Sequence, residues 1–165
     1  MMTLARFLPA FILSSAALVL SGLGSAPGLA HGYTAGTVEV IHPWARPTVS
    51  TRQPGAAYFA LRNTGSEADR LIGARPIGFA EAAELHTHIN DDGVMRMRPI
   101  PAVELPAGEL VLFEPGGLHV MLYGLDAPLT EGRLLGLVLQ FEKAGEVEVA
   151  VLVENRTDTA VHEHH

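Results

Sequence analysis

Cysteine is absent from this 165-residue chain, and its absence excludes several kinds of protein at once. No disulfide can hold the fold together, so an exported form has to rely on its apolar core. Thiolate metal sites are excluded too, among them the blue-copper electron-transfer centre, which needs a cysteine ligand. Because a lipobox also requires cysteine, we do not expect a lipid-anchored lipoprotein.

Positive charge is scarce as well. Eleven Lys and Arg residues stand against 18 Asp and Glu, which gives a formal net charge of −7. An acidic surface disfavours nucleic acid and anionic lipid as partners, because neutralising phosphates requires clustered cations. The sequence also lacks P-loop, Ser-His-Asp and zinc-protease signatures, which disfavours nucleotide-dependent enzymes and hydrolases.

The N-terminal segment lacks an apolar run long enough for a comfortable membrane span. Residues 1–30 carry one cation, Arg6, followed by an apolar stretch over 11–20 and small residues up to Ala30. A transmembrane helix needs about 20 apolar residues, so this pattern predicts a cleaved signal peptide. An uncleaved anchor is the alternative. The predicted mature chain begins at His31 and keeps 10 cationic and 18 acidic residues, a net charge of −8.

No segment of the predicted mature chain shows a sustained apolar period of 3.6 residues, so we expect few helices. Short apolar or alternating segments are instead separated by turn residues, among 17 Gly and 11 Pro in the chain. We predict one antiparallel β-sandwich or barrel domain over 31–153 and a flexible tail over 154–165. Nine strands are predicted, over 37–41, 56–61, 70–74, 82–88, 94–98, 109–113, 118–123, 134–141 and 147–153.

A spaced set of histidines and methionines is the most informative feature that the chain does contain. His86, Met97, His119 and Met121 follow the pattern H-x10-M-x21-H-x-M. Imidazole and thioether together suit soft Cu(I), whereas hard ions such as Mg²⁺ do not accept sulfur. If their strands meet, these four side chains would surround one ion. The ordinary alternative for each residue alone is a core-filling Met or a surface His.

Strand periodicity adds two auxiliary candidates, His88 and Met95. Residues i and i+2 of a strand point to the same face, so the chain contains three same-face pairs: His86 with His88, Met95 with Met97, and His119 with Met121. The residues between them should project to the opposite side: Leu85, Arg96, Arg98, Val120 and Leu122.

Three further histidines lie at the C-terminus, where His162, His164 and His165 accompany a glutamate. Such a tract is suited to Cu(II) or Zn²⁺, and a merely solvated tail is the alternative. An amino-terminal His31 would offer its amine and imidazole to Cu(II), although the expected second histidine is not evident. His42, beside Pro43, is expected to be structural.

Several segments of the chain match the sequence pattern of one family. They are 42–47, 55–59, 84–88, 93–98, 115–122 and 141–145. Over residues 36–153 the chain thereby resembles the periplasmic copper chaperone family PCu(A)C. The resemblance implies a cupredoxin-like β-sandwich of Greek-key type that binds one Cu(I) near its surface. The family's ligand pattern falls on His86, Met97, His119 and Met121. His88 departs from a common variant that has Met there, which leaves open whether His88 joins or replaces a ligand.

The resemblance also implies copper transfer rather than catalysis. The expected acceptor is the dinuclear copper centre of cytochrome c oxidase, reached directly or through a cysteine-containing assembly factor, and we expect the protein to be a monomer. Other functions stay open: a periplasmic copper- or zinc-sequestering or ligand-binding sandwich without delivery, a secreted copper enzyme built on His31, and a zinc or nickel carrier using histidines alone.

Overall fold

The computed structural model describes residues 32–156, which form eleven β-strands and contain no helix. The predicted signal peptide over 1–30, His31 and residues 157–165 lie outside the described residues. The strands are β1 (Gly32–Ala35), β2 (Val38–Ala45), β3 (Gly55–Asn63), β4 (Asp69–Ile77), β5 (Ala82–Asp91), β6 (Val94–Pro99), β7 (Val103–Leu105), β8 (Leu110–Phe113), β9 (His119–Tyr123), β10 (Leu134–Phe141) and β11 (Gly145–Val153).

All nine strands predicted from the sequence are present, and two more strands were not predicted. The two additional strands, β1 and β7, have only four and three residues. Segments this short do not repeat an alternating pattern, so their pairing partners determine that they are strands. β1 pairs with β2, and β7 pairs with β4.

The strands form one hydrogen-bonded sheet with the order β6-β5-β9-β3-β2-β11-β10-β4-β7, in which β1 also pairs with β2 and β8 with β3. Several neighbours are distant in the sequence, such as β5 with β9 and β2 with β11, as Greek-key connections require. Every pair is antiparallel except β11 with β2. The predicted cupredoxin-like β-sandwich is therefore confirmed, with this one parallel pair as a departure.

The core forms because alternate residues of the strands are apolar. In β10, Leu135, Leu137 and Leu139 are buried, and β11 contributes Val149 and Val151 in the same way. The apolar area that such side chains remove from water stabilises the fold by about 1.5–3 kcal/mol per fully buried residue.

The turn between β5 and β6 sets the register of the strands that carry the candidate ligands. Asp92 and Gly93 both have positive φ angles, 50° and 86°. Two such residues form the type I′ turn that joins tightly paired antiparallel strands. The resulting register places His88 directly opposite Met97.

His42 lies at an irregular position in β2. Its φ angle is 49°, and the pairing of β2 with β3 shifts register between Ile41 and Trp44. The His42 Nε2 atom lies 3.4 Å from a carboxylate oxygen of Glu154. Glu154 also donates its N–H to the Ala45 carbonyl, so the chain just after β11 is held against β2.

Candidate metal site

The four predicted ligands and His88 lie on one face of strands β5, β6 and β9. His86 is the cross-strand partner of His119, and His88 is the partner of Met97. Cross-strand partners share a face, and Met121 follows His119 by two residues in β9. The topology therefore brings together side chains that are up to 35 positions apart in the sequence, from His86 to Met121.

The residues between the candidate ligands point the other way, as their spacing predicts. Leu85, Val120 and Leu122 are buried in the core. All six residues of β6 are exposed, and strand alternation places Arg96 and Arg98 on the face opposite Met95 and Met97. The candidate site thus lies on the sheet face opposite the core.

Burial differs sharply among the four predicted ligands. His119, His86 and Met121 are 2%, 7% and 8% exposed, whereas Met97 is 53% exposed. β9 is an inner strand between β5 and β3, while β6 is the edge strand of the sheet. Three donors are therefore held inside the protein, and one sulfur remains accessible from outside.

The hydrogen bonds of His119 leave one of its nitrogens available for a metal. Its Nδ1 lies 3.0 Å from the carbonyl oxygen of Gly117. A carbonyl only accepts hydrogen bonds, so Nδ1–H donates a hydrogen bond to the Gly117 carbonyl. The lone pair of the ring is therefore on Nε2. This Nε2 is buried and has no hydrogen-bond partner. A metal-binding histidine commonly has this arrangement, with its other ring nitrogen donating to a carbonyl or carboxylate.

In His86 the roles of the two ring nitrogens are exchanged relative to His119. Its Nε2 lies 3.2 Å from a carboxylate oxygen of Glu84 and 3.4 Å from the hydroxyl of Tyr123. The carboxylate accepts a hydrogen bond from Nε2–H, which leaves the lone pair on Nδ1. Nδ1 of His86 is buried without a partner. An unpaired buried polar atom costs about 1–3 kcal/mol, and a metal ion would satisfy it.

The two imidazoles are close enough to share one ion. Their ring centroids are 5.8 Å apart. A metal–nitrogen bond is about 2.0–2.1 Å, so two such bonds plus half a ring on each side span about 6 Å. The separation therefore suits a single ion between the rings.

His88 lies beside this pair. Its ring centroid is 5.1 Å from that of His119, and its Nδ1 lies 3.2 Å from the same Gly117 carbonyl. Within residues 32–156, no three His, Cys, Asp or Glu side chains form a metal-binding group by themselves. The candidate donors on this face include both imidazole nitrogen and thioether sulfur. Met95 faces the same side but pairs with Asn90, one step closer to the turn.

Electrostatics favour the metal-binding form of His119. Burial lowers the pKa of His119 below 6.5, and protonation of His88 or His86 would lower it further, although the bond to Gly117 opposes the shift. The imidazole is therefore neutral at neutral pH, which is the form that binds a metal. Burial, together with the charge of Glu84, raises the pKa of Tyr123, so its phenol keeps its proton.

A groove of about 550 Å³ leads to the site from outside. His88, Met97, His119 and Met121 line one side of it. The other lining comes from residues 46–49, 53–56 and 115–116 and from Tyr58. An approaching molecule therefore reaches the exposed sulfur of Met97 first, while His119 and Met121 also line the groove but are almost fully buried.

Sequence reasoning did not identify the residues that orient the imidazoles. Glu84 precedes His86 by two positions, and Gly117 precedes His119 by two. The i−2 spacing of Glu84 was a usable signal, because it predicts a shared strand face. The contact of Tyr123 with His86 depends on the pairing of β5 with β9, which the sequence does not reveal. The tail candidates His162, His164 and His165 lie outside the described residues.

Comparison with known proteins assigns this chain to a family. The family model LpqE-like, described as "Putative lipoprotein LpqE-like", matches residues 38–153. This chain belongs to the LpqE-like family. It is also 34% identical over 124 residues to the protein RP573 of Rickettsia prowazekii, covering 72% of this chain and 67% of that one.

Two solved structures extend the comparison to copper-bound proteins. The copper-bound PCuAC domain from PmoF2 is 28% identical with a TM-score of 0.65, over 76% of this chain and 99% of that domain. The Cu(I) form of DR1885 from Deinococcus radiodurans is also 28% identical, with a TM-score of 0.50 over 70% of this chain and 78% of that one. The resemblance to the PCu(A)C family is confirmed by these structures and the LpqE-like match.

The LpqE-like assignment fits an exported protein. Across residues 32–156, no helix has the length and apolar character that crossing a membrane requires.

Proposed function

We propose that this LpqE-like protein is a periplasmic copper chaperone that binds one Cu(I) through His86, Met97, His119 and Met121. The observation that carries the proposal is a pair of buried imidazole nitrogens without partners, beside two thioethers on the same sheet face. Related PCuAC domains have been solved in copper-bound form.

The donor chemistry favours Cu(I) over other ions. Thioether sulfur is a soft ligand that Zn²⁺, Mg²⁺ and Ca²⁺ sites rarely use, whereas Cu(I) accepts both sulfur and imidazole. Imidazole and thioether are both neutral, so the ligands themselves add no charge to a partly buried site. A Zn²⁺ or Ni²⁺ carrier would be expected to use more nitrogen or oxygen donors.

The uneven burial of the ligands supports transfer rather than storage. Met97 is more than half exposed and lines the groove, while His86 and His119 are enclosed. An incoming thiolate would displace the accessible sulfur first and then draw the ion outward along the groove. Thiolate binds Cu(I) more strongly than thioether, so copper would move downhill to a cysteine-bearing acceptor.

The proposed acceptor is the copper centre of cytochrome c oxidase, reached directly or through a cysteine-containing assembly factor. In this proposal residues 1–30 are a signal peptide cleaved near Ala30, the mature protein acts as a monomer in the periplasm, and no catalytic step is involved. The LpqE-like assignment, which fits an exported protein, supports this location.

X-ray absorption of the Cu(I)-loaded protein tests the site. We expect one copper per chain with two sulfur and two nitrogen neighbours. A spectrum without sulfur neighbours would contradict the proposed ligand set. A competition assay with a chromogenic Cu(I) chelator gives the stoichiometry in parallel, and failure to bind Cu(I) would favour a ligand-binding sandwich instead.

Delivery is tested separately from binding. The Cu(I)-loaded protein is mixed with the purified copper domain of the oxidase or with its cysteine-containing assembly factor, and the two are separated and assayed for copper. We expect copper to move to the cysteine-bearing partner and not to its Cys→Ser variant. Retention of copper on this protein would indicate sequestration without delivery.

The C-terminal histidines provide a second, independent part of the proposal. His162, His164 and His165 would bind Cu(II), and an external one-electron reductant would convert it to Cu(I), which then passes to the main site. Deleting residues 161–165 should therefore abolish Cu(II) binding and leave Cu(I) affinity unchanged. Equal Cu(II) binding by the shortened protein would show that the tail is only solvated.

A further inference from the structure

We infer that Glu84 is a positioning residue that directs copper to Nδ1 of His86, while the Gly117 carbonyl directs it to Nε2 of His119. The inference rests on the proposed copper site and adds the binding atoms and the residue that selects one of them. The two histidines would thus bind the same ion through different ring nitrogens.

The position of Glu84 is fixed by the sheet. Glu84 and His86 are separated by one residue on β5, so their side chains share the face that carries the ligands. Glu84 also lies opposite Met121 across the β5–β9 pair. Its carboxylate oxygen is 3.2 Å from Nε2 of His86. Since a carboxylate at neutral pH only accepts, Nε2 has to be the protonated nitrogen.

Tyr123 also contacts Nε2 of His86, and it would allow the opposite tautomer. Its hydroxyl is 3.4 Å from Nε2, which is longer than the usual hydrogen-bond range of about 2.7–3.2 Å. A phenol that donates to Nε2 would place the imidazole proton on Nδ1 and block that atom. The shorter contact to a full negative charge favours Glu84 as the group that decides.

Two other roles for Glu84 fit the structure less well. A direct copper ligand is disfavoured, because a hard carboxylate oxygen is a poor donor to Cu(I) and this oxygen already accepts from Nε2. A role in holding the fold is also disfavoured, because the Glu84 side chain is 53% exposed. What remains is orientation of the imidazole, the role that carboxylates have beside many metal-binding histidines.

The expected effect on copper binding is moderate. Loss of a residue that orients a metal ligand typically weakens metal affinity about 10–100-fold. Because water reaches the Glu84 carboxylate, we expect the lower end, about tenfold. The larger effect should be on which ring nitrogen of His86 carries the proton.

Nitrogen NMR of the ¹⁵N-histidine-labelled protein tests the binding atoms. In the metal-free protein we expect His86 to be protonated on Nε2 and His119 on Nδ1. Addition of one Cu(I) should shift Nδ1 of His86 and Nε2 of His119, while both protons stay in place. Copper on Nε2 of His86, or the same nitrogen used by both residues, would overturn the inference.

Three variants test the role of Glu84. Glu84→Ala removes the acceptor, so the Cu(I) dissociation constant should rise about tenfold, and the ¹⁵N signals of His86 should show mixed tautomers while His119 is unchanged. Glu84→Gln keeps an acceptor oxygen. It should therefore restore most of the Cu(I) affinity and most of the single His86 tautomer. The matched control is Glu81→Gln, which removes one exposed carboxylate nearby and should leave affinity and tautomers as in the wild type.

The outcomes separate this inference from the copper proposal. Wild-type Cu(I) affinity and a single His86 tautomer in Glu84→Ala would overturn the role of Glu84. An equal loss of Cu(I) affinity in Glu81→Gln would also overturn it, because it would indicate a general charge effect. If the wild type itself bound no Cu(I), the proposed function would fail. The tautomers of the metal-free protein would still report whether Glu84 orients His86.

Discussion

Replacing Met97 and Met121 together by leucine separates sulfur ligation from folding. Leucine retains the apolar character and approximate volume of methionine but has no sulfur. The change therefore removes both thioether donors and leaves His86 and His119 in place. We expect the doubly substituted protein to fold and to lose high-affinity Cu(I) binding.

The structure sets the size of the folding effect. Met121 is 8% exposed, so its replacement is a buried substitution that conserves volume and costs less than about 1.5 kcal/mol. Met97 is 53% exposed on an edge strand, and its replacement should stay within about 0.5 kcal/mol. The total is below about 2 kcal/mol, against a typical stability of about 5–15 kcal/mol. The melting temperature should fall by less than about 8 °C.

The copper effect should be much larger. Removal of two of four ligands should weaken Cu(I) binding at least about 100-fold, equivalent to about 2.8 kcal/mol. Competition with a Cu(I) chelator measures this, and thermal unfolding of the metal-free protein checks the fold. The matched control is Met95→Leu, because Met95 is 57% exposed on the same strand and face. Wild-type Cu(I) affinity in the double variant would refute the four-ligand site.

Four further predictions concern protonation and individual side chains. Burial lowers the pKa of His119 below 6.5. Cu(I) affinity should therefore stay constant from pH 8 to about 6.5 and fall at lower pH. A pH-independent affinity down to about pH 5 would contradict imidazole ligation. The metal-free protein should also lose stability below about pH 6.5, since the unfolded chain binds more protons at His119 there. His88→Ala should keep Cu(I) affinity within about threefold, and a tenfold loss in the chelator assay would make His88 a ligand. Burial alone would raise the pKa of Asp69, but bonds from the backbone N–H groups of Lys143, Arg70 and Ala144 outweigh it and lower the pKa. Asp69→Asn should therefore cost about 1–3 kcal/mol near neutral pH, measured by urea unfolding, and this difference should shrink as the wild-type carboxylate is protonated at acid pH.

Strand periodicity explains why so much of the site face could be predicted. Alternation along a strand depends on local backbone geometry, so it placed His86 with His88 and His119 with Met121 on shared faces without knowledge of the fold. The same rule assigned Leu85 and Val120 to the opposite side, and both are buried in the core.

Features that depend on strand pairing could not be predicted in this way. The exposure of Met97 follows from the position of β6 at the edge of the sheet. The contact of Tyr123 with His86 requires β5 to lie beside β9, although 37 positions separate the two residues. Neither feature can be predicted from the residues close to it in the sequence.

The sequence by itself determined the kind of donors and their alternation, because ligand softness and strand geometry are properties of residues and of short segments. It also determined that no thiolate takes part, since the chain has no cysteine. Only the tertiary structure decided which nitrogen of each imidazole has no hydrogen-bond partner and which sulfur is exposed. Those properties depend on the hydrogen-bond partners and burial that long-range pairing creates.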